Sequence, residues 1–230
     1  MLIRCYSDLH GLLPRVEPCD VLLVAGDVCP LDGERDFARM KDWIEGEFSD
    51  WLRAVPADRI VMTPGNHDFA IERQREWPDL PAELLIDQST SIGELTLHAS
   101  PWVPTLKHWA FYGDDDKLEA VAAAIPDGAD IWLQHGPPYG YLDRLWRDSR
   151  HVGNSHTLKA LASRGPQVFV CGHIHEAYGL AQHDGTLIAN VSFVDEFYEP
   201  QHRHLALRAD GETLRHDPGA QVNASTLWTL

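Results

Sequence analysis

The chain has 230 residues, 44% of them hydrophobic and 23% charged, which is ordinary for a globular protein and enough for one domain with a sizeable core. Lysine and arginine total 19 against 35 aspartates and glutamates, a formal charge of -16; this disfavours sustained contact with a nucleic-acid backbone or an anionic membrane, since both need a basic footprint. The four cysteines show no C-x-x-C pairing and no apolar run approaches the roughly 20 residues that cross a bilayer, so the expectation is a cytoplasmic, disulfide-free protein whose first strand, at Leu2, leaves no room for a leader.

In chain order, residues 2–6 read as a buried strand ending at Asp8-Leu9-His10-Gly11, and 20–25 as a central strand before Gly26-Asp27. Phe37, Met40, Ile44, Phe48, Trp51, Leu52 and Val55 recur at three- and four-residue steps and predict a helix that ends at Pro56. The apolar run Ile60-Val61-Met62 then leads through Thr63-Pro64 into Gly65-Asn66-His67-Asp68 and a shorter helix over 69–77. Residues 84–87 and 94–99 read as short strands with a turn at Gly93, and 114–116 as the N-cap of a helix over 117–125. The strand 130–134 delivers His135, and the connection 136–154 is long enough to cover whatever lies at that strand's end. Ser155 is expected to cap a helix through Ser163 that stops at Gly165, after which 167–171 delivers Gly172-His173-Ile174-His175. Asp184-Gly185 and Asp210-Gly211 signal hairpins, and the stretch after Pro218, which has no period, is expected to be loosely packed. With no repeat and no linker, a single domain over 1–230 is expected. Strand-helix alternation followed by hairpins predicts two packed sheets flanked by helices.

Five of these strands share one layout: an apolar run, a small residue or tight turn, then Asp, Asn or His. The clusters supply carboxylates at Asp8 and Asp27, an amide oxygen at Asn66, and imidazoles at His10, His135, His173 and His175. Each histidine alone reads as an ordinary core or surface residue; together, with the two carboxylates and the amide, they read as oxygen and nitrogen ligands for two divalent ions, Mn, Fe, Zn, Ni or Mg, with manganese favoured. Such a pair, about 3.5–4 Å apart, suits phosphoester hydrolysis: it neutralises the phosphoryl oxygens and supplies a bridging hydroxide for in-line attack. His67, beside a ligand, is left to protonate the leaving oxygen, and with Asn66 to hold the substrate.

The series D-x-H, G-D, G-N-H-D, H-G and G-H-x-H, in this order from Asp8 to His175, resembles the calcineurin-like metallophosphoesterase superfamily. That resemblance implies an α/β, four-layer α/β/β/α sandwich with two mixed sheets and the metal site at the C-terminal ends of the strands. It implies one ion on Asp8, His10, Asp27 and His175, and a second on Asn66, His135, His173 and the bridging Asp27. Ser100-Pro101-Trp102, the stretch from His135 to Asp143, the stretch from Gly172 to Gly179 and Asn190-Val191-Ser192 are similar to the metallophosphoesterase domain-containing brain proteins and their microbial relatives. This finer likeness implies a phosphodiesterase of small nucleotide-like substrates, 2',3'-cyclic nucleotides among them. A low-turnover nucleotide-binding scaffold, a nuclease and a phosphomonoesterase are the alternatives.

Pro64 and Pro30 stand where Ser/Thr protein phosphatases of the superfamily carry Arg and Asp, which argues against that role. Pro30 also excludes the tyrosine ligand of purple acid phosphatases. The partner that orients His67 is left open between Asp68 and Asp32. Trp102, Tyr139, Tyr141 and Phe193 are candidates to stack on a nucleobase, with packing against a sheet as their alternative role.

Overall fold

The computed structural model describes residues 1–73 and 80–220. One sheet contains β1 (Leu2–Tyr6), β2 (Cys19–Val24), β3 (Ala57–Met62), β4 (Glu83–Leu84), β11 (Leu205–Asp210) and β12 (Thr213–His216), in the order β12-β11-β1-β2-β3-β4. The other contains β5 (Gln88–Ile92), β6 (Leu95–Ser100), β7 (Ile131–Gln134), β8 (Val168–Cys171), β9 (Gly179–His183) and β10 (Thr186–Asn190), in the order β5-β6-β7-β8-β10-β9. Each sheet is mixed: β1 to β4 run parallel in the first and β6, β7, β8 and β10 in the second, with antiparallel partners outside them.

The strands alternate faces, and that alternation builds the layers. Ile3, Cys5, Val21, Leu23 and Val61 of the first sheet meet Leu97, Ala99, Ile131, Leu133, Val168 and Val170 of the second in one dry core. Their sequence neighbours point outward. Tyr6, Leu22, Val24, Ile60 and Met62 pack on Met40, Ile44, Phe48 and Leu52 of the helical segment 37–54. Trp132, Phe169 and Ile188 pack on Ala122, Ala160 and Leu161 of α4 (Asp115–Ala124) and α5 (Ser155–Arg164). The expected four-layer α/β/β/α arrangement is what results. Truncating one of the middle-layer side chains, Leu133→Ala for example, should cost about 2–5 kcal/mol through lost burial and the cavity left behind.

Local departures have local causes. The helix expected over 37–55 is α1 (Phe37–Trp43), a wider π-type turn (Ile44–Phe48) and α2 (Ser49–Ala54). Its buried apolar residues Met40, Ile44, Phe48 and Leu52 lie four apart, and in a regular α-helix each such step rotates the stripe by about 40°. The wide turn takes up that drift and keeps the stripe on the sheet. The strand expected at 84–87 is instead the crossing between sheets: β4 pairs with β3, the chain turns through Asp87 at φ +52°, and β5 pairs with β6. Asn154, not Ser155, caps α5, its side chain accepting from the backbone N–H groups of His156 and Thr157. The helix expected over 69–77 is described only as α3 (Phe69–Arg73); its remainder, and most of the stretch after Pro218, lie outside the described residues.

The two sheets are stitched at one end. Ser7, just past β1, bridges to Ser192, just past β10: its N–H donates to Val191 at 3.1 Å, and Phe193 N–H donates back to the Ser7 carbonyl at 2.8 Å. The turns after the parallel strands of both sheets therefore open onto the same place.

Candidate metal centre

Those turns are sharp, and sharpness is what aims their side chains. Asp8, His10, Asp27 and His173 all adopt the left-handed region, at φ +56°, +46°, +54° and +71°, a conformation that costs non-glycine residues energy and persists only where the surroundings enforce it. Backbone bonds enforce it here: Asp8 N–H to Gly26 O and His10 N–H to Asp27 O, both 2.9 Å, lock the first two turns together. Gly65 and Gly172 permit the final approach. A Cβ on Gly65 would run into the Asp27 carboxylate, and one on Gly172 into Asp8 and Ser7.

All seven candidate ligands converge. His135 Nε2 lies 2.9 Å from Asn66 Oδ1 and 3.3 Å from Asp27 Oδ2. His175 Nε2 lies 3.3 Å from Asp8 Oδ1 and 3.3 Å from His10 Nε2, and His10 Nε2 lies 4.0 Å from both Asp8 Oδ1 and Asp27 Oδ2. Asp8, His10 and His175 form one group of donor atoms within 4.8 Å of one another, and Asp27, His135 and His173 form another. His10, Asp27 and His67 form a third such group, so distance alone would also admit His67 as a ligand.

The donor set fits cations. His135 Nδ1 donates to the Ala25 carbonyl at 2.7 Å and His175 Nδ1 to the Asp195 carbonyl at 3.0 Å, so in each neutral ring the lone pair sits on Nε2, facing other acceptors. Lone pairs brought this close repel unless positive charge lies among them. His10 Nδ1 is buried without a protein partner. Burial opposes ionisation of Asp8 and Asp27, yet the imidazoles beside them (His175 for Asp8, His135 for Asp27) hold both carboxyls below the usual range. Burial likewise opposes the charged form of His135, but Asp27 raises it to about 9, and Asp8 raises His175 against the same burial. His10 and His173, where burial prevails, are pushed down to about 3. A site that holds two carboxylates ionised and favours the protonated form of two of its rings is one where dications can take the protons' place.

Neither residue proposed to orient His67 does so. Glu34 does: its Oε2 lies 2.6 Å from His67 Nδ1. Asp32 pairs with Arg39, and Asp68 is buried as a staple, accepting from the backbone N–H groups of Asp27, Val28, Cys29 and Gly65 at 2.7–3.0 Å. Burial and Asp27 raise the Asp68 carboxyl to about 6, against the pull of these donors. Glu34 sits in a loop without periodicity, and no sequence signal marked it. Asn190, by contrast, belongs to the Asn190-Val191-Ser192 motif; its Nδ2 donates to the Gly172 and Ile174 carbonyls and braces the His173–His175 turn.

Asp27, Asn66, His67, His173 and His175 lie at the base of a pocket of about 400 Å³. The long connection does cover it, through Leu145 to Asp148 and Arg150, and that loop is pinned from below by Asp143, which accepts from Gly140 N, Gly153 N and His151 Nδ1. The aromatic residues at the pocket are Trp109, Trp146 and Tyr198. Trp102 instead donates to Asp87 and packs on Phe111, Tyr141 binds His183, Phe193 is buried in the core, and Tyr139 packs on His151.

A family model described as calcineurin-like phosphoesterase matches residues 2–177. Human metallophosphoesterase domain-containing protein 1 is 26% identical over 229 residues, a match spanning 85% of this chain and 67% of that protein. Among solved structures, a dimetal phosphatase from Danio rerio superposes with a TM-score of 0.57 at 11% identity, covering 97% of this chain and 98% of that one. An archaeal phosphodiesterase gives a TM-score of 0.50 at 14% identity, covering 97% and 99%. At these identities the two structures speak to the fold.

Proposed function

We propose, for a chain that belongs to the calcineurin-like phosphoesterase family and is accordingly a metal-dependent phosphoester hydrolase, that the substrate is a small nucleotide-like phosphodiester, with 2',3'-cyclic nucleotides the first class to test. The observation that carries the reading is the convergence of seven oxygen and nitrogen donors under a pocket of about 400 Å³, a volume suited to a nucleotide-sized ligand. Asp8, His10, Asp27 and His175 would hold one divalent ion, and Asp27, Asn66, His135 and His173 the other. When bound, the pair supplies positive charge to the phosphoryl oxygens and an acidified water as nucleophile.

The remaining work falls to side chains. Asn66 lines the pocket, and its Nδ2 would offer an amide donor to a phosphoryl oxygen. His67, its Nδ1 engaged by Glu34, is the acid: its Nε2 proton passes to the leaving alkoxide as the P–O bond breaks. The 136–154 loop and Tyr198 line the pocket above the centre. We take manganese as the favoured ion. Residues 1–230 are read as one domain, which the core shared by both sheets supports. A cytoplasmic setting is supported by four unpaired cysteines; no helix among the described residues is long and apolar enough to cross a membrane.

The deciding experiment is a panel of 2',3'-cyclic, 3',5'-cyclic and aryl diesters, with monoesters, assayed against Mn, Ni, Mg and Zn while metal content is measured. Turnover of diesters over monoesters, abolished by chelation, is expected. Tight nucleotide binding without turnover under any metal would sink the proposal. His67→Ala should slow alkyl diesters by roughly 10²–10⁴-fold and p-nitrophenyl esters far less, because a nitrophenolate departs without a proton.

A further inference from the structure

Two of the aromatic residues at the pocket differ from the third in how they are held. Trp146 stands 58% exposed on the covering loop. The segments that carry Trp109 and Tyr198 are each tied by a hydrogen bond to a turn that carries a candidate ligand. Ala110 N–H donates to the Asn66 carbonyl at 3.1 Å, which fixes the Trp109 segment to the G-N-H-D turn. The Asp195 carbonyl accepts from His175 Nδ1 at 3.0 Å, and the Asp195 side chain accepts from Phe197 N and Glu199 N, closing the loop that carries Tyr198. Within that loop Tyr198 sits at φ +64°, an uncommon conformation for a bulky aromatic residue and one that calls for a cause.

The position that this conformation secures is specific. The Tyr198 ring stands edge-on to His10 and His175, with centroids 4.9 Å and 5.1 Å away, and 6.3 Å from His67. Trp109 lies 4.4 Å from His67, centroid to centroid, and is backed by Phe69 at 5.9 Å and by the Arg35 guanidinium at 5.3 Å. Both aromatics therefore neighbour the ring assigned here to proton donation, and both line the same pocket. Rigid aromatic surfaces registered against a fixed site contribute contact at little entropic cost, and planar rings are what they hold best.

The geometry points to Trp109 and Tyr198 as substrate-contacting, specificity-determining walls that bind a planar ring carried by the substrate while its phosphoryl group rests on the candidate ligands. This deepens the proposed function and rests on it for the placement of the phosphoryl end. A purely structural role for both residues is the rival. Under that role, removing either ring would disturb the ligand turns and weaken every ligand alike.

Equilibrium binding to the manganese-loaded full chain separates the two, with adenosine 5'-monophosphate, ribose 5-phosphate and inorganic phosphate as probes. Wild type should bind the nucleotide about tenfold more tightly than the sugar phosphate, the scale of one base stacked on an aromatic ring. Trp109→Ala and Tyr198→Ala should each remove most of that preference, while phosphate affinity and metal content stay within about twofold, and Trp109→Phe should restore it. Equal weakening of all three probes, or a preference that survives in both alanine variants, overturns the proposal, as does a wild type without preference. Nucleotide preference in a protein that hydrolyses no diester would overturn the proposed function and leave the walls standing. Diester turnover without preference would do the reverse.

Discussion

The base of the pocket and its rim are built on opposite terms. At the base, candidate ligands such as Asp8, Asp27 and His135 are almost wholly buried, leave the ends of paired strands, and are tied by backbone hydrogen bonds to one another's turns. At the rim, Trp146, Arg147, Asp148 and Arg150 are exposed on a loop whose anchor is the buried Asp143 beneath it. The contrast teaches where precision is needed. Ions tolerate displacements of tenths of an ångström, so their donors come from rigid sheet ends. A substrate's outer parts tolerate more, so their contacts can come from a loop.

The sharpest way to break this comparison is to remove charge at the base. Asp27→Asn keeps the oxygen that accepts His67 N–H at 2.7 Å but loses the carboxylate proposed to be shared by the two ions, and turnover should fall by roughly 10²–10³-fold with far-ultraviolet circular dichroism unchanged. Full activity in a metal-free sample of this variant would refute the dinuclear reading. One step out, Glu34→Gln leaves the His67 ring in place but without its carboxylate, and kcat should drop by about tenfold to a hundredfold with metal content unaltered. A loss of bound metal instead would show that His67 serves as a ligand.

The base should also respond to pH in a way that the rim does not. Without ions, Asp27 raises His135 to about 9 against the effect of burial, so at neutral pH a proton must leave before that ring can bind a metal. Apparent manganese affinity should therefore rise with pH, by roughly tenfold per unit below about pH 9 for each proton released, and level off above it. Calorimetric titrations at several pH values, in buffers of different ionisation enthalpy, would count the protons; a flat profile contradicts the assignment. The smallest effect belongs to the rim. Trp146→Ala should change kcat/KM by no more than about threefold, mainly through KM, as expected for an exposed contact outside a binding hot spot.

Legibility in the sequence followed the same division. Asp8, His10, Asp27, Asn66, His135, His173 and His175 stood out because their clusters each follow an apolar run that reads as a buried strand, and strand ends in a parallel sheet share an edge. The layers were legible because Val21, Leu23 and Val61 alternate with Leu22, Val24 and Ile60, as a two-sided sheet requires. Residues 84–87 misled because a short apolar run between two sheets looks like a strand in either. Ser155 misled because Asn154, beside it, is an equally good cap.

Local pattern thus determined which residues end up at the shared edge, since burial of alternate side chains leaves few other ways to thread these strands. Tertiary structure alone decided what surrounds them. Glu34 reaches His67 from 33 positions away, and Tyr198 comes to lie against His10 across nearly the whole chain. Such meetings depend on where irregular loops come to rest, which no short-range period encodes.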